Sequence, residues 1–150
     1  MKYNTEIIEL KNFIDEVLQE VNSCSLDNCP YIMIHEYMNH EDYVKYLFNK
    51  EGSIKLEFDL SDWGLVVAID TAEEMYEYNI DFIRNNKEFM YKFIKNILTA
   101  KVQVRCCYFG YCRYTFINKK KEILFSCSMC RSLLCSIKIK CSTKIYNEYF

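Results

Sequence analysis

Residues 71–99 read TAEEMYEYNIDFIRNNKEFMYKFIKNILT and carry the longest helical repeat of apolar residues in the chain. Thr71 and Glu74 have the spacing of a capping box, in which each side chain accepts from the other residue's amide. At about 100° per residue, the apolar residues fall mostly on one broad face: Met75, Tyr78, Phe82, Ile83, Phe89, Met90, Phe93, Ile94 and Ile97. The pattern predicts one long helix from Thr71 to Thr99.

Two strands are predicted before this helix. Residues 54–60 alternate apolar with charged side chains, which is the period of a strand buried on one side. Residues 61–64 form a predicted turn, and residues 65–70 are a nearly continuous apolar run, typical of a central strand covered on both faces. Strand, turn, strand and long helix are therefore the predicted spine of the fold.

Three further elements are predicted towards the N-terminus. The apolar spacing from Asn4 or Thr5 to Asn22 indicates a first helix with an acidic back. Residues 31–37 are compatible with a short strand, and Asn39 is suited to cap a short helix that runs through Glu41 to Phe48.

Strands rich in aromatic and β-branched residues are predicted after the long helix. Residues 102–117 read as one strand with a bend at Gly110, residues 118–121 as a turn, and residues 122–128 as a returning strand. Residues 133–145 alternate, with these side chains on the apolar face: Cys135, Ile137, Ile139, Cys141 and Ile145. The tail is thus a predicted antiparallel meander.

Together these elements predict one α+β domain that spans residues 1–150. Its core is an antiparallel twisted sheet of about five or six strands, packed by the N-terminal helix and the long central helix. The composition agrees with an ordinary globular domain, since 51% of the 150 residues are hydrophobic and 27% are charged.

The N-terminal segment is amphipathic and acidic, unlike a signal peptide, and no apolar run approaches the roughly 18 residues of a membrane span. A soluble cytoplasmic protein without a membrane partner is therefore expected. Its nine cysteines are expected to be reduced thiols, because disulfides are rare in that compartment.

Charge is unevenly distributed along the chain, although the net charge is only −2. Up to Thr99 there are nineteen acidic and nine basic side chains, whereas two acidic and ten basic side chains follow. Such a separation produces a dipolar surface that can steer a charged partner.

Metal-binding and catalytic motifs are incomplete. Cys127 and Cys130 have the spacing of a zinc knuckle, but no second pair with this spacing completes a four-ligand set, so structural thiols are expected. His35 and His40 are the only histidines and belong to no local nucleophile signature. The aspartates between residues 59 and 70 lack a Gly-rich phosphate loop. We expect no enzymatic activity, no metal and no cofactor.

The basic tail is the alternative site. Its lysines and arginines can neutralise phosphates and are interleaved with aromatic residues that can stack on bases. These aromatic residues are Tyr108, Phe109, Tyr111, Tyr114 and Phe116. This favours a small nucleic-acid-binding module, with or without a structural zinc, as the alternative function. The acidic front argues against nucleic acid, because it repels the same polyanion.

An acidic surface is the preferred partner-binding site. Carboxylates from the strand, the turn and the first part of the long helix are predicted to surround the only tryptophan: Glu57, Asp59, Asp62, Trp63, Asp70, Glu73, Glu74, Glu77 and Asp81. The acids on the helix also complement its dipole, which is the alternative explanation for them. An aromatic anchor within charged surroundings is typical of interface hot spots, so we expect a basic protein partner.

In its size, its acidic segment from Glu57 to Asp81 and its lack of a catalytic motif, the chain resembles the small immunity proteins of bacterial polymorphic-toxin and contact-dependent growth inhibition systems. The resemblance implies a cytosolic α+β domain that inhibits a cognate toxin, often a basic nuclease domain, by offering acidic side chains to its active-site cleft. The nine cysteines and the basic tail depart from this pattern. The predicted function is therefore a non-enzymatic, protein-binding toxin inhibitor, with the oligomeric state left open.

Overall fold

The computed structural model describes residues 4–22, 30–38, 41–70, 76–106, 111–130 and 142–150. In chain order the elements are α1 Thr5–Val21, β1 Tyr31–Met38, β2 Glu41–Phe48, β3 Leu56–Leu60, β4 Gly64–Ile69, β5 Tyr76–Asn79, α2 Ile80–Asn85, α3 Lys87–Thr99, β6 Lys101–Cys106, β7 Tyr111–Ile117, β8 Ile123–Cys130 and β9 Ser142–Tyr146. The strands form two antiparallel sheets, one of five strands and one of four. The prediction of an α+β fold is confirmed.

The chain divides into two compact units. The first comprises Met1–Lys50 and Lys55–Lys95 and contains the five-stranded sheet. The second comprises Glu51–Ile54 and Asn96–Phe150 and contains the four-stranded sheet. A single domain for residues 1–150 stays a prediction.

The five-stranded sheet is a meander with the order β1-β2-β3-β4-β5. One face carries large buried side chains from the three central strands: Val44, Tyr46, Phe48, Leu56, Phe58, Leu60, Leu65, Val67 and Ile69. The strands predicted at residues 31–37, 54–60 and 65–70 are confirmed as β1, β3 and β4. In β4 every residue except Val66 is buried, as expected for a strand covered on both faces.

The predicted first helix is confirmed as α1, which packs on β2, β3 and β4. Its apolar stripe is buried: Ile7, Leu10, Ile14, Val17 and Leu18. Asn4 caps the helix, because its side chain accepts a hydrogen bond from the Glu6 amide. Asp15 accepts a second hydrogen bond, of 2.7 Å, from the hydroxyl of the buried Tyr46. This polar contact fixes α1 on β2.

The short helix predicted through residues 41–48 is wrong, because this segment is the strand β2. Val44, Tyr46 and Phe48 are buried and alternate with less buried residues, which is the strand period. Pairing with β1 and β3 on either side supplies backbone hydrogen bonds, whereas so short a helix is marginal on its own. Asn39, the expected cap, lies outside the described residues.

The single long helix predicted from Thr71 to Thr99 is also wrong. Residues 76–79 form β5, which pairs with β4 and places Tyr78 opposite Leu65. The Asn79 side chain then accepts a hydrogen bond of 2.8 Å from the Phe82 amide, so α2 begins at Ile80. The expected capping residues at positions 71 and 74 lie outside the described residues.

A break at Asn86 separates α2 from α3. The Asn86 side chain donates a hydrogen bond of 2.9 Å to the Phe82 carbonyl, which closes the end of α2. From there α3 continues the predicted apolar face, with Met90, Ile94 and Ile97 buried. The second half of the predicted helix is therefore confirmed.

The four-stranded sheet has the order β8-β7-β6-β9. Residues 102–117 do not form the predicted single strand, because β6 and β7 fold back on each other with Cys106 opposite Cys112. The predicted turn at residues 118–121 is confirmed, since the Lys121 amide donates to the Asn118 carbonyl at 2.9 Å. The predicted strand at residues 122–128 is confirmed as β8.

The last strand departs from the predicted meander, because β9 pairs with β6 and does not extend the sheet beyond β8. Only residues 142–145 of the predicted strand 133–145 lie within the described part of the chain. Ile145, expected on the buried face, is 64% exposed. Its register partner is Gln103, whereas the neighbouring Lys144 pairs with the buried Val104.

Candidate protein-binding surface

Three connections meet at one end of the five-stranded sheet. Because neighbouring strands are antiparallel, the end of β1, the turn after β3 and the start of α2 after β5 lie at the same edge. From β2 to β5 this edge spans about 14 Å, or three strand spacings of roughly 4.8 Å. Its exposed residues include three carboxylates and the tryptophan, which we call the acidic end: Glu41, Asp62, Trp63 and Asp81.

A tight turn holds Trp63 at this edge. The Ser61 amide donates to the Gly64 carbonyl at 3.0 Å, and the Ile80 amide donates to the Trp63 carbonyl at 2.9 Å. A Cβ at Gly64 would lie 2.1 Å from the Tyr78 carbonyl oxygen, so only glycine lets β5 approach this closely. Trp63 is 48% exposed, which agrees with its predicted place in an exposed turn.

An aromatic cluster continues from this turn onto α2 and α3. The Tyr78 ring lies 5.4 Å from the Phe82 ring, and the Phe82 ring lies 6.1 Å from the Phe89 ring. Phe82 is 39% exposed and Phe89 is 51% exposed. Each of these two phenylalanines follows a carboxylate in the sequence, Asp81 or Glu88, so exposed rings and charges alternate along this surface.

Glu41 and Asp62 act on the same tyrosine. The Tyr43 hydroxyl donates a hydrogen bond to Glu41. This bond raises the pKa of Tyr43, with further increases from burial and from the negative charges of Glu41 and Asp62. Carboxylates from the start of β2 and from the turn after β3 therefore reinforce one negative potential, although they are 21 positions apart in the sequence.

The face of this sheet opposite α1 carries a second group of charges. Lys45 Nζ lies 3.3 Å from Glu57, 3.6 Å from Asp59 and 3.7 Å from Glu36. In the register, Asp59 lies opposite Val66, which in turn lies opposite Glu77. Lys45 is thus shared by three carboxylates. Glu77 is a fourth carboxylate on this face, two strands away from Asp59.

Asp59 has the most perturbed environment in this group. Burial, and to a smaller extent the neighbouring Glu57, raise its pKa from 3.8 to about 6, although Lys45 opposes both effects. Its Oδ1 atom is buried and has no hydrogen-bond partner among the described residues. Its negative charge is consequently unfavourable near neutral pH.

The structure divides the predicted acidic patch into three places. The face of the sheet opposite α1 carries Glu57, Asp59 and Glu77. The acidic end carries Asp62, Trp63 and Asp81. Asp70 lies at the opposite end of β4, about 20 Å from the turn at roughly 3.4 Å per residue. Glu73 and Glu74 lie outside the described residues.

Sequence reasoning missed three contributors to this surface: Glu41, Phe82 and Phe89. Glu41 was hidden by the wrong helix prediction, and the two phenylalanines were placed on the buried face of the long helix. The alternating residues YEYN at positions 76–79 were the available signal for a strand. The last of them, Asn79, is a suitable cap for a helix that begins later than predicted.

A groove of about 440 Å³ lies next to this surface, between α1 and the helices α2 and α3. Its walls combine apolar and charged side chains: Glu9, Leu10, Asn12, Phe13, Glu16, Ile83, Lys87, Glu88 and Tyr91. Arg84 Nη2 donates to Glu9 at 2.7 Å, and Arg84 also lies 3.9 Å from Asp81. The hydrogen bond from Arg84 lowers the pKa of Glu9. The groove is thus connected to the acidic end through one arginine.

The described cysteines and histidine include one disulfide and one ion pair. Cys106 and Cys112 form a cross-strand disulfide, so the expectation of reduced thiols is wrong for this pair. Among the described residues, no group of three or more His, Cys, Asp or Glu side chains is arranged so that it could hold a metal ion. His35 Nε2 lies 2.9 Å from Asp42 on the β1–β2 hairpin, where the sequence had predicted a helix start.

Comparison with protein-family models, with curated proteins and with solved structures finds no match for this chain. No helix among the described residues is long and apolar enough to cross a membrane.

Proposed function

We propose that this chain is an immunity protein that binds a cognate bacterial toxin and blocks it without catalysing a reaction. The acidic end contacts a basic cleft on the toxin, with a nuclease domain as the preferred target. The observation that carries this proposal is the position of Trp63, which is half-exposed and held by backbone hydrogen bonds between the carboxylates Asp62 and Asp81.

Exposed aromatic rings support a protein as the partner. Trp63, Phe82 and Phe89 all retain more than a third of their surface in solvent. Aromatic residues are enriched at the centres of protein interfaces, and burying such a ring commonly contributes about 2 kcal/mol or more to binding. The contacts among Tyr78, Phe82 and Phe89 hold two of these rings in place before binding, so little side-chain entropy is lost.

The carboxylates supply the attraction at longer range. Glu41, Asp62 and Asp81 are exposed, and exposed charges mainly increase the association rate and set the salt dependence. Glu57, Asp59 and Glu77 on the sheet face add to the same negative potential. This arrangement suits a cationic cleft, and nuclease active sites that bind polyanionic substrates are cationic.

Coexpression tests this proposal. Immunity genes normally follow the gene of their toxin, so the toxin candidate is the C-terminal domain encoded immediately upstream. We expect this chain to relieve the growth arrest that the domain causes. The Asp62→Lys variant should lose this relief, because it reverses a charge beside the tryptophan.

Glu51→Lys is the matched control, since Glu51 is exposed and lies outside the first unit, and the substitution makes the same change in net charge. It should relieve growth arrest as well as the natural chain does. Relief by both variants would reject the acidic end as the contact. Failure of the natural chain to relieve the arrest, and to bind the purified domain, would reject the immunity function.

A further inference from the structure

The four-stranded sheet has one buried face and one exposed face. The side chains at its outward strand positions are basic, polar or apolar. We define the arginine face as seven of them: Lys101, Arg105, Tyr111, Arg113, Ser126, Ser128 and Thr143. No Asp or Glu occupies an outward strand position in the described part of this sheet. This face is therefore positively charged.

Two arginines face each other at its centre. Arg105 on β6 is the direct register partner of Arg113 on β7, and both are exposed. Like charges in directly opposite positions destabilise a sheet. An anion bound between the two guanidinium groups would remove this repulsion, because each group presents several donors in a planar fork that fits phosphate.

Hydroxyl groups flank the arginine pair. Ser128 lies opposite Arg113 on one side, and Thr143 lies opposite Arg105 on the other. The Arg113 Nη2 atom also lies 3.3 Å from Ser126 Oγ. One row across the sheet therefore contains Ser128, Arg113, Arg105 and Thr143, and it is about 14 Å long at roughly 4.8 Å per strand. Hydroxyl and guanidinium donors in such a row match the acceptors of a sugar-phosphate backbone.

An aromatic ring lies beside this row on the same face. Tyr111 is two residues before Arg113 in β7, points to the same side and is 49% exposed. Tyr114 and Phe116, which the sequence offered as stacking residues, are fully buried on the other face. Tyr111 is therefore the described aromatic residue of this sheet face that can stack on a nucleic-acid base.

We propose that the arginine face binds single-stranded nucleic acid, with a phosphate between Arg105 and Arg113 and a base stacked on Tyr111. This activity is separate from toxin binding, since none of its residues belongs to the acidic end. Lys101 is a third cation on the same face of β6. Three phosphate contacts on a single strand give a salt slope, log Kobs against log[salt], of about −2.

Fluorescence anisotropy of the full chain with a labelled oligouridylate of about a dozen nucleotides tests the proposal. The natural chain should bind with the salt slope of about −2. Arg105→Gln with Arg113→Gln should reduce this slope to about −0.7 and weaken binding at least about tenfold at low salt. Tyr111→Ala should weaken binding at least about fivefold without a change in the slope, because it removes stacking only.

Two control variants distinguish the face from general charge and aromatic effects. Lys55→Gln with Lys87→Gln makes the same change in charge on the first unit, and Tyr37→Ala removes an exposed tyrosine from β1. Neither should alter binding by more than about twofold, within the scatter of exposed substitutions. Thermal melts followed by circular dichroism verify that each variant is folded.

Three results would overturn the proposal. The first is no salt-dependent binding of the oligonucleotide, and the second is equal weakening by the arginine and lysine double variants. The third is tighter binding to phosphatidylserine vesicles than to the oligonucleotide, which would identify a lipid surface as the ligand of this face.

Discussion

The environment of Asp59, on the face of the five-stranded sheet opposite α1, makes the stability of the protein depend on pH. The folded protein raises the pKa of this carboxyl from 3.8 to about 6, chiefly through burial. Folded Asp59 therefore binds its proton more tightly than the unfolded chain does. The resulting stability is fully present below the ordinary pKa and is lost as the pH rises through about 6.

The magnitude follows from the two pKa values. Between about pH 5 and about pH 7.5, a shift of this size changes the free energy of unfolding by about 1.4 kcal/mol. The Asp59 side chain is 31% exposed, and solvent screening reduces this figure to about 1 kcal/mol. Asp59→Asn abolishes the titration and leaves Lys45 with Glu57 and Glu36 as partners.

Urea unfolding of the natural chain and of Asp59→Asn at about pH 5 and about pH 7.5 measures this effect. Relative to the variant, the natural chain should lose about 1 kcal/mol of stability between the two conditions. Asp62→Asn, at an exposed turn position, is the control for the loss of one carboxylate charge. A difference between natural chain and Asp59→Asn that is the same at both pH values would refute the reasoning.

Three other substitutions test how the candidate surface is built, each measured as the free energy of unfolding in urea. Tyr46→Phe should cost about 1 kcal/mol, because it deletes the buried hydrogen bond to Asp15, and an unchanged midpoint would contradict this role. Gly64→Ala should cost about 3 kcal/mol, since its Cβ would lie 2.1 Å from the Tyr78 carbonyl oxygen; a loss below about 1 kcal/mol would show that the turn relaxes easily. Asn79→Ala should cost about 1 kcal/mol by removing the cap of α2, whereas Asn85→Ala, at an exposed position in the same helix, should have little effect.

The elements that could be predicted from the sequence are those whose apolar pattern repeats over their whole length. The first helix and β3 and β4 are examples, because their apolar residues repeat over a whole element and face one core. The prediction failed at β2. This short polar and aromatic segment fits a helix locally, and it forms a strand because it pairs with β1 and β3 on both sides. Such pairing partners are not visible in a local pattern.

The candidate surface could be predicted only in part, for the same reason. Asp62 and Trp63 were found because a turn between two strands is a local feature. Glu41 and Phe89 reach the same region through strand order and through the break at Asn86, neither of which a helical period reveals. Glu77 and Asp81 do not share the predicted helix arc, since Glu77 belongs to β5, on the sheet face with Asp59, whereas Asp81 belongs to α2.

Calorimetric titration of this chain with the purified C-terminal domain encoded upstream tests toxin binding through Trp63. We expect a defined complex whose Kd rises at least about thirtyfold in Trp63→Ala, because a buried aromatic anchor contributes about 2 kcal/mol or more. Tyr111→Ala, which removes a ring of similar exposure from the four-stranded sheet, should leave the Kd nearly unchanged. An equal Kd for the natural chain and Trp63→Ala would show that Trp63 does not anchor the complex.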